Sequence, residues 1–370
     1  METIYLDYNA TAPLNPNIRD QLFELWTQDN ILNPSSIHWA GRNARKHFES
    51  ARRRIAQFFD RKPSEVIFTS GGSEADNMAL LGVPAKRIIT SKVEHPAVLE
   101  TVEYLEKNGR DVVYLPVDAN GKLDLEMLKN CVTPESLVSI MAVNNETGVI
   151  FPIDEVTAIC HEVGALVHVD AVQSIGRLPI CSAPDLITIS GHKLGAPVGA
   201  GALIARELIH MAPIIHGGAQ ERGRRAGTGN VIGALGLAMA LEHAEKNREV
   251  ETERLQKLRD KLEVEIKQIS GVEIVAESAP RVCNTTTLVF EDIEDESIVH
   301  ALDLAGIACS SGSACASGSL EASHVLISMG IPAKKAKSAL RISMGGSTTN
   351  HHIEKLVASL REIVPSVRDS

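Results

Sequence analysis

The sequence predicts an α/β protein in two parts: a large domain on a mostly parallel, seven-stranded sheet with helices on both faces, and a smaller C-terminal α/β domain. Three observations carry that prediction. From Val66 onward, short β-branched runs alternate with helical periodicities, the rhythm of βαβ units. The 370 residues exceed what one hydrophobic core comfortably holds, and at about 150 residues per domain they divide in two. With 44% apolar and 23% charged residues, the chain has enough apolar surface to build both cores.

A strand over residues 4–6 enters the turn-rich Asp7-Tyr8-Asn9-Ala10-Thr11-Ala12-Pro13, and a helix over about 16–26 follows. Asn33-Pro34-Ser35-Ser36 breaks the chain. Within 37–59 the spacing of Phe48, Ala51, Ile55, Phe58 and Phe59 fits an amphipathic helix, with Arg42, Arg45, Arg52, Arg53 and Arg54 on a basic, solvated side. Strands are then predicted over 66–69, 87–90, 112–115, 137–143, 166–169, 186–189 and 201–205, with helices near 73–81, 96–107 and 153–163. No helical pattern separates the last two strands, so an antiparallel member is expected there. After Thr228-Gly229-Asn230 a helix-rich stretch reaches about residue 269, its second half highly charged. Strands near 272–275, 287–290 and 340–344, with helices near 294–304 and 350–364, make the smaller domain. The expected division is 15–250 for the large domain, with 1–14 and 251–370 for the small one. Cys309-Ser-Ser-Gly-Ser-Ala-Cys315-Ala-Ser-Gly-Ser319 holds only small residues and reads as a mobile loop.

Composition narrows the function. A formal net charge of -10 argues against nucleic acid as a partner, because that would call for a phosphate-neutralising basic face. No apolar run approaches the ~20 residues that span a bilayer, and the N-terminal residues lack the regions of a signal peptide. No membrane association and a cytoplasmic location are expected. The six cysteines form no Cys-x-x-Cys pair, so neither a zinc site nor a disulfide framework is indicated.

The chemistry concentrates where strands end. Lys193 follows the 186–189 strand in Ser190-Gly191-His192-Lys193, and Gly191, Gly195, Gly199 and Gly201 clear space around it. Lysine amines form Schiff bases with carbonyl compounds, the way enzymes hold pyridoxal 5'-phosphate (PLP). The plainer reading is a surface lysine after a strand. Ser70-Gly71-Gly72-Ser73 passes from strand to helix and offers backbone N-H groups to an anion, or is an ordinary turn and cap. Asp170 ends another strand, where an acid either pairs with a protonated pyridine nitrogen or caps a turn. His95 is a stacking platform, a proton carrier or a satisfied imidazole. The Arg222-Gly-Arg-Arg225 loop suits anion capture or plain solvation, and Arg341 inside an apolar strand needs a substrate carboxylate or a structural ion pair.

Taken together, the sequence resembles the cysteine desulfurases of the NifS/IscS type, PLP enzymes of aminotransferase class V with the fold-type I architecture. The resemblance runs nearly the whole chain: Tyr5-Leu-Asp-Tyr-Asn-Ala-Thr11, Asn33-Pro-Ser-Ser-Ile-His38, Phe68-Thr-Ser-Gly-Gly-Ser-Glu74, Glu94-His95, Val143-Asn-Asn-Glu-Thr-Gly148, His168-Val-Asp-Ala-Val-Gln173, Ser190-Gly-His-Lys193, Arg222 to Thr228, Ser311-Gly-Ser-Ala-Cys315 and Leu340-Arg341. It implies that Lys193 carries PLP and moves the Cα proton, that Asp170 pairs with the ring nitrogen, and that His95 stacks on the ring and assists proton transfer. It further implies that Asn145 and Gln173 reach the phenolic oxygen, and that Gly72, Ser73, Ser190 and His192 hold the phosphate with Thr228 of a second subunit in a homodimer. Arg341 and Asn33 are implied to bind the substrate carboxylate. Cys315 is implied to take the sulfur of L-cysteine as a persulfide, leaving L-alanine, and to pass it to a protein acceptor such as an iron-sulfur scaffold. The same resemblance admits a selenocysteine lyase or another class V aminotransferase, and a non-catalytic sulfur carrier. Two departures stand out. Gly72-Ser73 replaces the commoner small-residue-then-threonine pair while keeping the hydroxyl, and the chain closes at Ser370, where IscS-like members continue into a longer scaffold-docking tail.

Overall fold

The computed structural model describes residues 3–28, 31–293, 296–311 and 322–368, so Cys315 lies outside the described residues. Strand β1 (Ile4–Tyr5) and helices α1 (Pro16–Gln28) and α2 (Trp39–Phe58) come first. Then follow β2 (Val66–Thr69), α3 (Gly72–Gly82), β3 (Arg87–Ser91), α4 (Pro96–Lys107), β4 (Asp111–Leu115), α5 (Leu125–Cys131), β5 (Ser136–Met141), α6 (Ile153–Val163), β6 (Leu166–Asp170), β7 (Leu186–Ser190) and β8 (Gly201–Ala205). Helix α7 (Val231–Ile266) leads to β9 (Val272–Ile274), β10 (Thr285–Phe290), α8 (Ser297–Leu304), β11 (Ile307–Ala308), β12 (Ser310–Ser311), α9 (His324–Ser328), α10 (Ala333–Ala336), β13 (Leu340–Ser343) and α11 (Asn350–Arg368).

The seven-stranded sheet runs in the order β2-β8-β7-β6-β5-β3-β4. All pairs are parallel except those of β8, which is antiparallel to β2 and β7, as the missing crossover helix requires. Alternation across the sheet sorts its side chains: Ile89, Val138, Ile140, Ile187 and Ile189 enter one core, while Ile88, Leu137 and Leu186 enter the core on the opposite face. With β8 reversed, β2, β3, β5, β6 and β7 all end at one edge. That edge receives the turns at Gly72, His95, Asn145, Asp170 and Lys193, where ligands of parallel sheets bind.

A second core gathers Ile4 and Leu6 with Leu258, Leu262, Phe290, Leu340, Ile342, Leu356 and Leu360. The N-terminus belongs there because β1 pairs in parallel with β11. Helix α7 joins the two cores. Its 36 residues, about 54 Å at 1.5 Å rise each, bury Val231, Leu235, Leu237 and Leu241 in the first core and Leu255, Leu258, Leu262 and Ile266 in the second.

The helix-rich stretch expected after Asn230 is one continuous helix, capped by the Asn230 side chain accepting from Gly233 N. The sequence reading needs three corrections. Helix α5 was not anticipated, since seven residues give too little periodicity. Arg52 is buried rather than on a solvated side: it pairs with Glu221 at 2.7 Å and lies over the Phe48 and Phe68 rings. Finally, Ser310 and Ser311, at the start of the small-residue run, pair with Arg341 and Leu340 as a strand. Among the described residues no helix is long and apolar enough to cross a membrane.

Candidate active site

A cavity of about 280 Å³ opens at the shared strand edge, near the lower end of ligand-pocket sizes. Lys193 reaches it from the turn after β7, and its Nζ donates to the backbone carbonyls of Asn9 (2.6 Å) and Ala10 (2.7 Å). Opposite, Gly72 opens α3. A Cβ there would meet Val172 Cγ2 at 3.0 Å, and one on Gly201 of β8 would meet Gly71 Cα at 2.7 Å, so the turn packs tightly and β8 must present a glycine to it. Ser190 Oγ is buried beside this helix start with no hydrogen-bond partner. An orphaned hydroxyl facing a helix N-terminus is a site suited to an anion.

Asp170, at the end of β6, accepts the Val172 N-H at 2.9 Å. Burial pushes its carboxyl up to about 6 against the opposing pull of that hydrogen bond and of Lys193. His95 caps α4, its Nδ1 accepting the Ala97 N-H at 3.1 Å, which leaves the ring proton on Nε2. Burial, then the nearby Lys193 charge, lowers its pKa to about 4, so a neutral ring faces the cavity. His192 is lowered to about 4 by the same two causes and meets Thr11 Oγ1 at 3.1 Å.

Arg341 on β13 is 1% exposed. It donates to Asp7 Oδ1 at 2.8 Å and to the Asn145 carbonyl at 3.2 Å, while its Nε has no partner. The ion pair satisfies the structural half of the expectation, and the guanidinium still borders the cavity. Asn145 also lines it, as does Gln173, whose amide donates to the Asn9 carbonyl at 3.0 Å.

The cavity thus collects Gly72, Ser73, His95, Asn145, Asp170, Gln173, Ser190, His192, Lys193 and Arg341. Asn33 is not brought in: it is exposed, and its Oδ1 accepts the Ser35 N-H at 2.9 Å to close its own turn. Thr228 is exposed and outside the lining. In the arginine loop, Arg225 pairs with Glu74 at 2.7 Å and Arg224 donates to the Ser64 carbonyl at 2.6 Å, so these two brace the fold instead of capturing a ligand.

Sequence reasoning missed Asn9, Asp76, Glu94 and Glu146. Asn9 ties both cores to the site: its carbonyl accepts from Lys193 and Gln173, and its amide donates to the Asn145 carbonyl and Thr285 Oγ1 at 3.0 Å each. Asp76 had a signal, lying one turn along the helix that Gly72 and Ser73 begin. Burial pushes Glu146, bonded by Ser323 Oγ at 2.5 Å, up to about 7, and Glu94 up to about 8. Glu94 accepts from Ser91 Oγ at 2.6 Å and Met141 N at 2.8 Å. Because its folded pKa lies above the usual 4.5, the stability it lends is complete below about 4.5 and lost as pH rises through about 8. Glu94→Gln stays neutral and keeps an acceptor for Met141. Between about pH 5 and pH 9 the variant should gain on the native protein by roughly 4 kcal/mol in urea unfolding, and equal pH sensitivity of the two proteins contradicts a protonated Glu94.

The residues present fit a PLP group: an amine, a buried acid, a neutral imidazole face and an open anion cradle share one cavity. The chain belongs to the class V aminotransferase family, whose model, described as Aminotransferase class-V, matches residues 4–356. Among its relatives, a cysteine desulfurase of Nostoc sp. is 43% identical over all of this chain and 94% of its own length. A solved NifS-like protein superposes with a TM-score of 0.92 at 35% identity, covering 99% of this chain and all of that one. A structure described as SspA in complex with cysteine superposes at 0.81 with 31% identity, over 92% of this chain and 99% of that one.

Proposed function

We propose that this chain is a cysteine desulfurase that holds PLP on Lys193 and moves the sulfur of L-cysteine onto Cys315. The observation that carries the reading is the meeting of Lys193, Asp170, His95 and the unpartnered Ser190 hydroxyl in one cavity of a chain whose full-length relatives are named cysteine desulfurases. When bound, PLP supplies an electron sink that stabilises negative charge at the substrate Cα.

This chain's own residues supply the rest. Asp170 would offer a carboxylate to the ring nitrogen, His95 would cover one ring face, and Asn145 and Gln173 would hold the phenolic oxygen. Gly72, Ser73, Ser190 and His192 would hold the phosphate, with the helix dipole of α3 behind them. Arg341 orients the substrate carboxylate, its guanidinium held in place by Asp7. Lys193, once its amine is free, takes the proton from Cα and returns one to carbon. Cys315 attacks the substrate sulfur as a thiolate: an S-S bond forms as the Cβ-S bond breaks, and the electron pair of the broken bond stays with the three-carbon product, which gains a proton to become L-alanine. A second copy of the chain contributes Thr228 to the phosphate end. Its exposure here supports that reading, as do the exposed side chains of Phe23, Trp26, Ile37, Trp39 and Val198, apolar surface of the kind a second subunit covers. The persulfide then passes to a protein acceptor such as an iron-sulfur scaffold, in the cytoplasm.

Mass spectrometry of the purified protein after exposure to cysteine tests this. One extra sulfur on the Cys315 peptide, with alanine released when a reductant is present, is the expected outcome. Alanine without that sulfur points to another class V activity, and neither product leaves a non-catalytic carrier.

A further inference from the structure

Asp76 is 2% exposed and lines the same cavity as Asp170. Its Oδ1 has no hydrogen-bond partner and lies 3.6 Å from His168 Nε2. That imidazole is engaged elsewhere, with Nε2 3.0 Å from Thr188 Oγ1 and Nδ1 2.8 Å from Ser139 Oγ, and its complete burial keeps it neutral. The titratable groups that face Asp76 are Asp170 and His168 from β6, Glu94 and His95 from the turn into α4, and Lys193 beyond β7. Strands β2, β7 and β8 carry none, and the acids of α4 are exposed.

Two carboxylates in one buried site cannot both ionise without a matching cation. The surroundings are unequal: Asp170 accepts a backbone N-H and feels the charge of Lys193, while Asp76 has only the Thr188 side chain as a donor, no cation among the described residues acts on it, and its Oδ1 is left unpartnered. We propose that Asp76 and Asp170 form a one-proton pair in which Asp76 keeps the proton, so that Asp170 is the ionised member that meets the ring nitrogen of PLP. Asp76 is then a positioning residue acting through Asp170, and the proposal rests on the PLP reading above. Burial first, and repulsion from Asp170 second, hold the Asp76 carboxyl well above the usual range, in accord with this order.

Asp76→Asn copies a protonated acid in shape and neutrality. In the infrared difference between the native PLP-loaded protein and this variant, a protonated-carboxyl band should be lost, and the variant should bind PLP within about threefold of the native affinity. Asp170→Asn, in contrast, should weaken PLP binding at least about tenfold. Loss of an ionised-carboxylate band from Asp76→Asn overturns the proposal, as does a PLP affinity reduced as far as that of Asp170→Asn. The same spectra taken without PLP separate the two readings: a protein that never takes up PLP defeats the cofactor reading, while the band still reports the charge of Asp76. If Asp76→Asn does not fold, carbon-13 labelling of the aspartate carboxyls in the unaltered chain decides. A buried aspartate still protonated at about pH 7 supports the pair, and complete ionisation by then overturns it.

Discussion

Lys193→Ala releases alanine from cysteine at least about a thousandfold more slowly than the native protein, because it loses both the tether for the cofactor and the group that moves the Cα proton. Positioned proton transfer alone contributes about 10²- to 10⁴-fold, and no neighbour replaces it. His95 is held neutral but has its Nδ1 committed to the Ala97 N-H, and His192 shares its Nδ1 with Thr11. The loss is one of chemistry and not of folding. The amine donates to the backbone carbonyls of Asn9 and Ala10, acceptors that water can satisfy in the variant. Steady-state alanine production beside a thermal melt checks this: a melting temperature within a few degrees with activity retained above about a tenth of native would contradict the assigned role.

Cys315→Ser should lower alanine release from cysteine by about two orders of magnitude or more while the protein keeps its PLP absorbance. A serine hydroxyl is not ionised near neutral pH and cannot take the sulfur, whereas a thiolate can. Cys309, six positions earlier, is not a substitute. Burial, and then the charge of Asp7, raise its thiol pKa far above the ordinary value, so it stays a packed, protonated side chain. The same variant separates the competing activities, because a selenocysteine lyase needs no persulfide and keeps its turnover of selenocysteine. Unchanged cysteine desulfuration in Cys315→Ser would remove this residue from the mechanism.

Much of the scaffold was legible because its signals are local. The seven strands announce themselves as β-branched runs, and α4 and α6 begin and end where proline, histidine and glycine place their caps. The reversal of β8 followed from the absence of a crossover helix. The site residues that terminate strands were legible for the same reason: a polar group after an apolar run sits at the sheet edge. What escaped depends on pairs far apart in the chain. Arg341 and Asp7 are separated by 334 positions, and Lys193 and Asn9 by 184, so no window of sequence shows either contact. Arg52 looked solvated since its buried acceptor, Glu221, lies in a loop with an unusual backbone: Glu221 and Arg222 both adopt positive φ. Glu94, Glu146 and Asp76 received no role from the sequence, for burial is a property of the packed molecule and not of a residue's neighbours in sequence.

The most direct test is borohydride reduction of the PLP-treated protein, followed by digestion and mass spectrometry. The predicted result is a single phosphopyridoxyl group on the peptide containing Lys193, absent from the Lys193→Ala variant. A label on any other lysine, or none on a protein that is otherwise folded, contradicts the assignment of this cavity.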